Sequence, residues 1–180
     1  MEKESLKKVA FLDRDGTLNV DYGYVHTKEK FELIEGVEEG LKVLQSLGYS
    51  LVIISNQSGI GRGFFSETEY LDFQNFIKEY LEKLGINVLA SYYCPHVSSD
   101  NCNCRKPKTG LFEKASKDLH IDWSNSIAIG DRYRDLTICK EKGIRGFFIK
   151  GTEKEQQITG ITSVDSLLQA AMTLKNVEGK

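Results

Sequence analysis

The chain has no surplus of charge. Lysine and arginine total 24 against 26 aspartates and glutamates, a net charge of −2, so the electrostatic footprint of a nucleic-acid binder is missing. Long apolar runs are missing too: none reaches the ~18 residues that span a bilayer. The opening Met1-Glu-Lys-Glu-Ser lacks the apolar core of a secretory signal. These absences predict a cytoplasmic protein that meets neither nucleic acid nor membrane. No solenoid-type repeat recurs. Cysteine is sparse, with four in all, and in a cytoplasmic setting these are expected as thiols or metal ligands, not disulfides. What is left is an ordinary globular composition. Its 180 residues are enough for one domain over 1–180 and short for two.

What is present alternates. Apolar runs at Val9–Leu12, Ser50–Ile54, Val88–Tyr93, Ser126–Gly130 and Gly146–Ile149 read as buried strands. Between them lie amphipathic helices. One covers 37–47, with a stripe of Val37, Leu41, Leu44 and Leu47. The next runs to Leu84, opens on the capping box Ser66-Glu-Thr-Glu69, and carries a stripe of Tyr70, Phe73, Ile77, Tyr80, Leu81 and Leu84. A helix over 111–119 has Thr109 as its candidate N-cap, another is to begin at Asp135 and end at Gly143, and a closing helix covers 164–174. Residues 1–8, 150–162 and the last few are expected to be polar loop or frayed ends. Helix, glycine, apolar residue, strand recurs at Gly48-Tyr49, Gly85-Ile86 and Gly143-Ile144. The pattern predicts an α/β fold, a Rossmann-like, mostly parallel sheet flanked by helices, with no large cap domain.

The stretch Val9-Ala-Phe-Leu-Asp-Arg-Asp-Gly-Thr17 organises the rest. Its apolar half delivers Asp13 and Asp15 to a strand end, and Gly16 lets the chain turn there. Residues two apart on extended backbone share a side. Two carboxylates so placed repel unless a hard cation or divided catalytic roles make use of them. A plain polar turn is the alternative. Asn19 to His26 follows as a polar loop, placed either at a pocket mouth or in solvent. The second strand ends in Ser55-Asn-Gln-Ser-Gly-Ile-Gly-Arg-Gly63, a loop rich in glycine and hydroxyls that suits an anion. The fourth ends in Asp131-Arg-Tyr-Arg-Asp135. Strands of a parallel sheet share one carboxyl edge, where ligands bind.

Cys94-Pro-His96 and Cys102-Asn-Cys104 form two short pairs whose thiolates and imidazole suit a closed, tetrahedral zinc site in a small loop over 94–104. Reduced thiols on a loop are the alternative. Cys139 stands apart and is expected as a core thiol. Directly after the loop, Lys106 or Lys108 of Arg105-Lys-Pro-Lys could reach a phosphate, or the segment is an exposed basic turn. Aspartates from separate strands, with backbone oxygens, make a Mg²⁺ site that also accepts a phosphate oxygen. Asp13 is then the nucleophile and Asp15 the acid/base.

Asp-x-Asp-Gly-Thr after a strand, a serine after the next, a lysine, then Gly-Asp-x-x-x-Asp resembles the haloacid dehalogenase (HAD) superfamily of phosphatases. The Cys-x-His…Cys-x-Cys loop followed by Arg-Lys-Pro resembles its zinc-containing subfamily, which holds heptose 1,7-bisphosphate phosphatases and histidinol-phosphate phosphatases. Phe11 to His26, Ser55 to Gly63 and Cys104 to Pro107 are closer to the heptose enzymes. The resemblance implies that Asp13 is nucleophile and Mg²⁺ ligand, and that Asp15 is acid/base and lends Mg²⁺ its main-chain carbonyl. It further implies that Asp131 binds Mg²⁺ and that Ser55 and Lys106 hold the phosphoryl group. Asp21, Tyr22, Gly23, Tyr24, Arg105 and Arg132 are then substrate contacts, with Asn56, Gln57 and Ser58 beside them. Cys94, His96, Cys102 and Cys104 would hold Zn²⁺. The expected partner is a small sugar phosphate and the expected state a monomer. An inactive, zinc-stabilised module binding phosphorylated ligands is the alternative outside enzymes.

Overall fold

The computed structural model describes residues 5–151 and 153–178. Six strands form one sheet in the order β3-β2-β1-β4-β5-β6, every neighbouring pair parallel. They are β1 (Val9–Leu12), β2 (Ser50–Asn56), β3 (Val88–Cys94), β4 (Ile127–Gly130), β5 (Arg145–Ile149) and β6 (Ile161–Val164). The helices are α1 (Val37–Ser46), α2 (Ser58–Gly61), α3 (Glu67–Lys83), α4 (Gly110–Asp118), α5 (Thr137–Lys142) and α6 (Leu167–Glu178).

Alternation along each strand builds two cores. Ala10, Leu12, Leu51, Ile53, Ile127, Ile129 and Phe147 face α1, α3 and α6. Val9, Phe11, Val52, Ile54, Ala128 and Phe148 face α4 and α5. Both faces are covered, which is why the strands read as continuous apolar runs. The order reverses at β1, from which the chain moves first towards β3 and later towards β6. The crevice at the carboxyl end of β1, between β2 and β4, is therefore the topological switch point.

Several expectations change. The polar segment 150–162 runs into an edge strand, β6, and the last helix starts at Leu167, not 164. Lys7 and Lys8 are not frayed: Lys7 N donates to the His120 carbonyl at 2.6 Å, and Lys8 Nζ pairs with Glu178 at 2.6 Å. Residues 1–4 and 179–180 lie outside the described residues. The Ser66–Glu69 capping box forms on both sides. Thr109 takes the N-cap position of α4 without a capping hydrogen bond, because its hydroxyl turns to Glu113. Of the α3 stripe, Tyr80 is exposed, while Gln74 is buried and accepts a hydrogen bond from Tyr70. Asp135 closes a 3₁₀ turn (Tyr133–Asp135) before α5 and does not begin the helix. The glycine-rich stretch after β2 is partly helical, as α2.

Candidate active site

The carboxyl edge of the sheet is built from β1 outward. Asp13 N donates to the Ile129 carbonyl at 3.1 Å, which continues the β1–β4 ladder and places Asp13 at its last rung. Gly16 adopts φ +85°, and a Cβ there would lie 2.4 Å from Asp131 Oδ2. Glycine thus serves both the left-handed turn and the close passage over Asp131. A carboxylate oxygen from each of Asp13, Asp131 and Asp135 lies within 4.8 Å of the others. Asp131 follows β4 directly. The turn after it brings Asp135 back, and Asp135 accepts from Arg132 N at 3.1 Å.

One cation is set among these acids. Lys106, 2% exposed, donates to Asp13 at 2.6 Å, Asp135 at 2.7 Å and the Ile54 carbonyl at 2.6 Å. Burial pulls its ammonium down, but Asp13 and Asp135 outweigh that and hold it above its usual range. Asp13 moves the other way: burial first, then Asp135, and then Asp131, against the pull of Lys106, push it up to about 7. Three carboxylates facing one ammonium are under-neutralised, as a divalent-cation site requires.

Asp15 points elsewhere. Its carboxylate accepts from Arg14 Nη2 at 2.8 Å, Asn19 Nδ2 at 3.0 Å and Gln57 Nε2 at 2.9 Å. Arg14 is fully buried. It also donates to the Val25 carbonyl at 2.6 Å and stands over the rings of Phe73 and Tyr70 at 5.3 and 5.7 Å. Burial disfavours its charge, but Asp15 overcomes this and holds the guanidinium above its ordinary value. Arg14 is thus the part that locks the rotamer of Asp15, and sequence reading did not single it out. Ser55 lies at the end of β2, buried, and accepts from Gln57 at 2.7 Å. Asn56 makes a reciprocal pair with the Lys106 backbone, both bonds 3.0 Å, and so ties that segment to β2.

A cavity of about 300 Å³ opens above these groups. Asp13, Asp15, Asp21, Gly23, Tyr24, Ser55, Asn56, Gln57, Ser58, Arg105 and Arg132 line it; Asp131 and Lys106 are buried and do not, and Lys106 instead lines a neighbouring pocket under the cysteine loop. Tyr22 does not line it: its ring is exposed and its hydroxyl donates to Glu32. Arg132 reaches Asp21 at 3.6 Å, joining the β4 turn to the Asp21–Tyr24 loop. Tyr24, at φ +52°, packs edge-to-face on Phe64 at 4.8 Å. Arg62 and Arg134 also line the cavity. Both lie in segments that the sequence already places at this edge, but nothing in their spacing singled out these two side chains.

Beside the cavity, Cys94, His96, Cys102 and Cys104 gather with their ligand atoms within 4.8 Å. Cys94 Sγ lies 3.6 Å from Cys102 Sγ and 3.2 Å from Cys104 Sγ, and His96 Nδ1 lies 3.5 and 3.2 Å from the sulfurs of Cys94 and Cys104. Tetrahedral bonds of ~2.3 Å to sulfur and ~2.0 Å to nitrogen give ligand separations of roughly 3.5–3.8 Å. The cluster therefore fits a zinc ion after small outward shifts. Hard oxygen donors at the other cluster fit Mg²⁺. Cys139 is a separate, buried thiol.

The family model for polynucleotide kinase 3 phosphatase matches residues 8–144. A D-glycero-beta-D-manno-heptose-1,7-bisphosphate 7-phosphatase from Haemophilus ducreyi is 42% identical over 175 residues, covering 93% of this chain and 96% of that one. A D-glycero-alpha-D-manno-heptose-1,7-bisphosphate 7-phosphatase from Photorhabdus laumondii is 40% identical over 151 residues, covering 79% and 82%. Among solved structures, a D,D-heptose 1,7-bisphosphate phosphatase from B. bronchiseptica, complexed with magnesium and phosphate, superposes with a TM-score of 0.86. It is 26% identical, with 94% of this chain and 99% of that one covered. No helix among the described residues is long and apolar enough to cross a membrane.

Proposed function

The chain belongs to the HAD-like phosphatases that the polynucleotide kinase 3 phosphatase model describes, among the D-glycero-D-manno-heptose-1,7-bisphosphate 7-phosphatases, and from that membership we propose that it hydrolyses the 7-phosphate of heptose 1,7-bisphosphate and releases heptose 1-phosphate. The observation that carries the reading is the floor of the cavity. There Asp13, Asp15 and Ser55 line the cavity, the Lys106 ammonium pairs with Asp13 at 2.6 Å, and the Asp15 carboxylate is held by its own donors, which supports a phosphoryl site between them.

Asp13 and Asp131 would hold Mg²⁺ through their carboxylates and Asp15 through its main-chain carbonyl. Bound there, the ion supplies charge neutralisation and orients a phosphoryl oxygen. Asp13 Oδ attacks phosphorus. The bond to the substrate C7 oxygen breaks, and Asp15 gives that oxygen its proton. Water then attacks the aspartyl phosphate, losing its proton to Asp15, and inorganic phosphate leaves Asp13 free. Ser55 and Lys106 hold the non-bridging oxygens throughout. Lys106 also favours the ionised form of Asp13, countering in part the burial and like charges that push it up. Arg14, Asn19 and Gln57 fix the orientation of Asp15. Asp21, Gly23 and Tyr24 present the sugar's wall, with Arg105 and Arg132 as cationic contacts. Cys94, His96, Cys102 and Cys104 would hold Zn²⁺, which cross-links the loop that delivers Arg105 and Lys106.

The protein acts in the cytoplasm as a one-domain monomer in this reading. ³¹P NMR of the reaction with Mg²⁺ tests it. Loss of the C7 phosphate signal with the anomeric phosphate retained is the expected result. Loss of the anomeric phosphate, or no turnover, overturns it.

A further inference from the structure

The mouth of the catalytic cavity holds a residue in an unfavourable conformation. Among the described residues, only Tyr24 and Asn101 have a positive φ without being glycine, at +52° and +48°. Asparagine tolerates that region because its short amide can bond locally, whereas a bulky aromatic residue is rare there. Such a residue persists only where its surroundings over-determine it. Tyr24 lines the cavity and is 44% exposed, so what holds it also shapes the mouth.

His26 supplies the constraint on the backbone. Its Nδ1 donates to the Tyr24 carbonyl at 2.7 Å. A carbonyl only accepts, so Nδ1 carries the proton. The imidazole stacks on the buried Phe65 ring at 4.3 Å, with the two planes 14° apart. The next carbonyl along, that of Val25, accepts from Arg14 Nη2 at 2.6 Å. Two successive peptides are therefore pinned, one by His26 and one by the arginine that orients Asp15. The Tyr24 ring is received by the loop after β2. It meets Phe64 edge-to-face at 4.8 Å. It also passes over Gly59, where a Cβ would run into the Phe65 ring and lie 3.1 Å from Tyr24 Cδ1. That loop is itself anchored, since Gly61 N donates to the Pro95 carbonyl at 2.9 Å.

We propose that His26 is a positioning residue: it fixes the Tyr24 peptide, and through it the wall against which the sugar of the substrate rests. The inference rests on the heptose bisphosphate reading above. His26 does not line the catalytic cavity; it lines a separate groove with Glu69 and Asp72. It therefore reaches the substrate only through Tyr24. Without the Nδ1 donor the Tyr24–Val25 peptide is free to turn, φ relaxes towards the ordinary negative region, and the ring leaves Gly59 and Phe64. Asp15 keeps its orientation, because Arg14 still holds the Val25 carbonyl. His26 thus acts on binding and leaves the chemistry alone.

The experiment compares wild type with His26→Phe, which keeps the stack and loses the donor, and with His26→Asn, whose amide can stand in for Nδ1. Melting temperatures check that each folds. The substrates are heptose 1,7-bisphosphate and acetyl phosphate, which brings a reacting phosphate without a sugar. In His26→Phe, KM for the bisphosphate should rise roughly 3- to 10-fold, the range of one neutral hydrogen bond, with kcat nearly unchanged. The acetyl phosphate kinetics should not move, and His26→Asn should recover part of the loss. In a Tyr24→Gly background there is no ring to hold, so adding His26→Phe should raise KM no further. The proposal is overturned by an unchanged KM in His26→Phe, by equal losses on both substrates, or by a full effect that persists in the Tyr24→Gly background. If His26→Phe does not fold, His26→Ala takes its place under the same outcomes. A wild type that does not turn over the bisphosphate sinks the functional reading, and this role with it. A wild type that does, with KM unmoved by His26→Phe, sinks only the role of His26.

Discussion

Replacing Asp13, the proposed nucleophile, should make the Mg²⁺-free protein more stable while abolishing its activity. Asp13 sits with Asp131 and Asp135 against a single buried ammonium. A carboxyl moved from an ordinary 3.8 to about 7 carries about 4 kcal/mol against its ionised form. Water entry and side-chain relaxation reduce what is realised, so Asp13→Asn should gain about 1–3 kcal/mol at pH 8, or roughly 3–10 °C in Tm for a chain of this size. The pH dependence has a definite sign. The folded protein protonates Asp13 up to about pH 7, the unfolded chain only up to about 4, so wild type loses stability between those values as pH rises. The variant has no such group, and its advantage should vanish near pH 4, open between about pH 4 and 7 and stay level above that. Thermal melts in buffer from which Mg²⁺ is omitted provide the assay. Chelators must be avoided, because they would also remove the zinc proposed for the cysteine cluster. Added Mg²⁺ should raise Tm strongly for wild type and weakly for Asp13→Asn. A variant less stable than wild type at pH 8, or a gap independent of pH, refutes the electrostatic account of this floor.

Arg14→Ala should cost less than the ~3–5 kcal/mol of a fully buried broken pair, because Asp15 is partly exposed and keeps Asn19 and Gln57 as donors, and reduce kcat more than it raises KM, because Asp15 loses its lock. Denaturant melts and steady-state kinetics check both. Gly16→Ala puts a Cβ 2.4 Å from Asp131 Oδ2 at φ +85°. The Mg²⁺ concentration for half-maximal rate should rise about 10- to 100-fold, as when support of a metal ligand is lost. Cys102→Ser should lower bound zinc from one per chain and cut kcat/KM at least about 10-fold. Its far-UV circular dichroism should stay close to wild type, because the Asn56–Lys106 pair keeps part of the segment in place.

How much was legible in the sequence depended on whether a feature is carried locally. The strands of the central sheet announced themselves because both faces are buried, and the Ser66–Glu69 cap because it is a local hydrogen-bond pattern. The cysteine loop was legible because four candidate ligands lie within eleven residues. β6 was not. Ile161-Thr-Ser-Val164 is a short edge strand, paired on one side and polar on the other. Arg14 hid for a different reason. A charged residue is almost never fully buried, and what makes it tolerable here comes from far along the chain: the Val25 carbonyl, Gln57, and the rings of Tyr70 and Phe73. The inward face of α3 was read as core, and it is core, but part of it roofs an arginine. Asn56 was expected beside substrate and lines the cavity, but its reciprocal pair with the Lys106 backbone was not legible, because the two are fifty residues apart. Asp135 was placed at a helix start on dipole grounds, whereas it is an ion-pair partner of Lys106, a contact that depends on how β2, the cysteine loop and β4 come together.

The most direct test of the central claim is kcat/KM with Mg²⁺ on heptose 1,7-bisphosphate against histidinol phosphate, with Asp13→Asn as the blank. The account predicts a ratio of about a hundred or more for the heptose ester, roughly 2.7 kcal/mol of transition-state discrimination, and a blank without turnover. A preference for histidinol phosphate would contradict the substrate, and full activity in Asp13→Asn would contradict the chemistry.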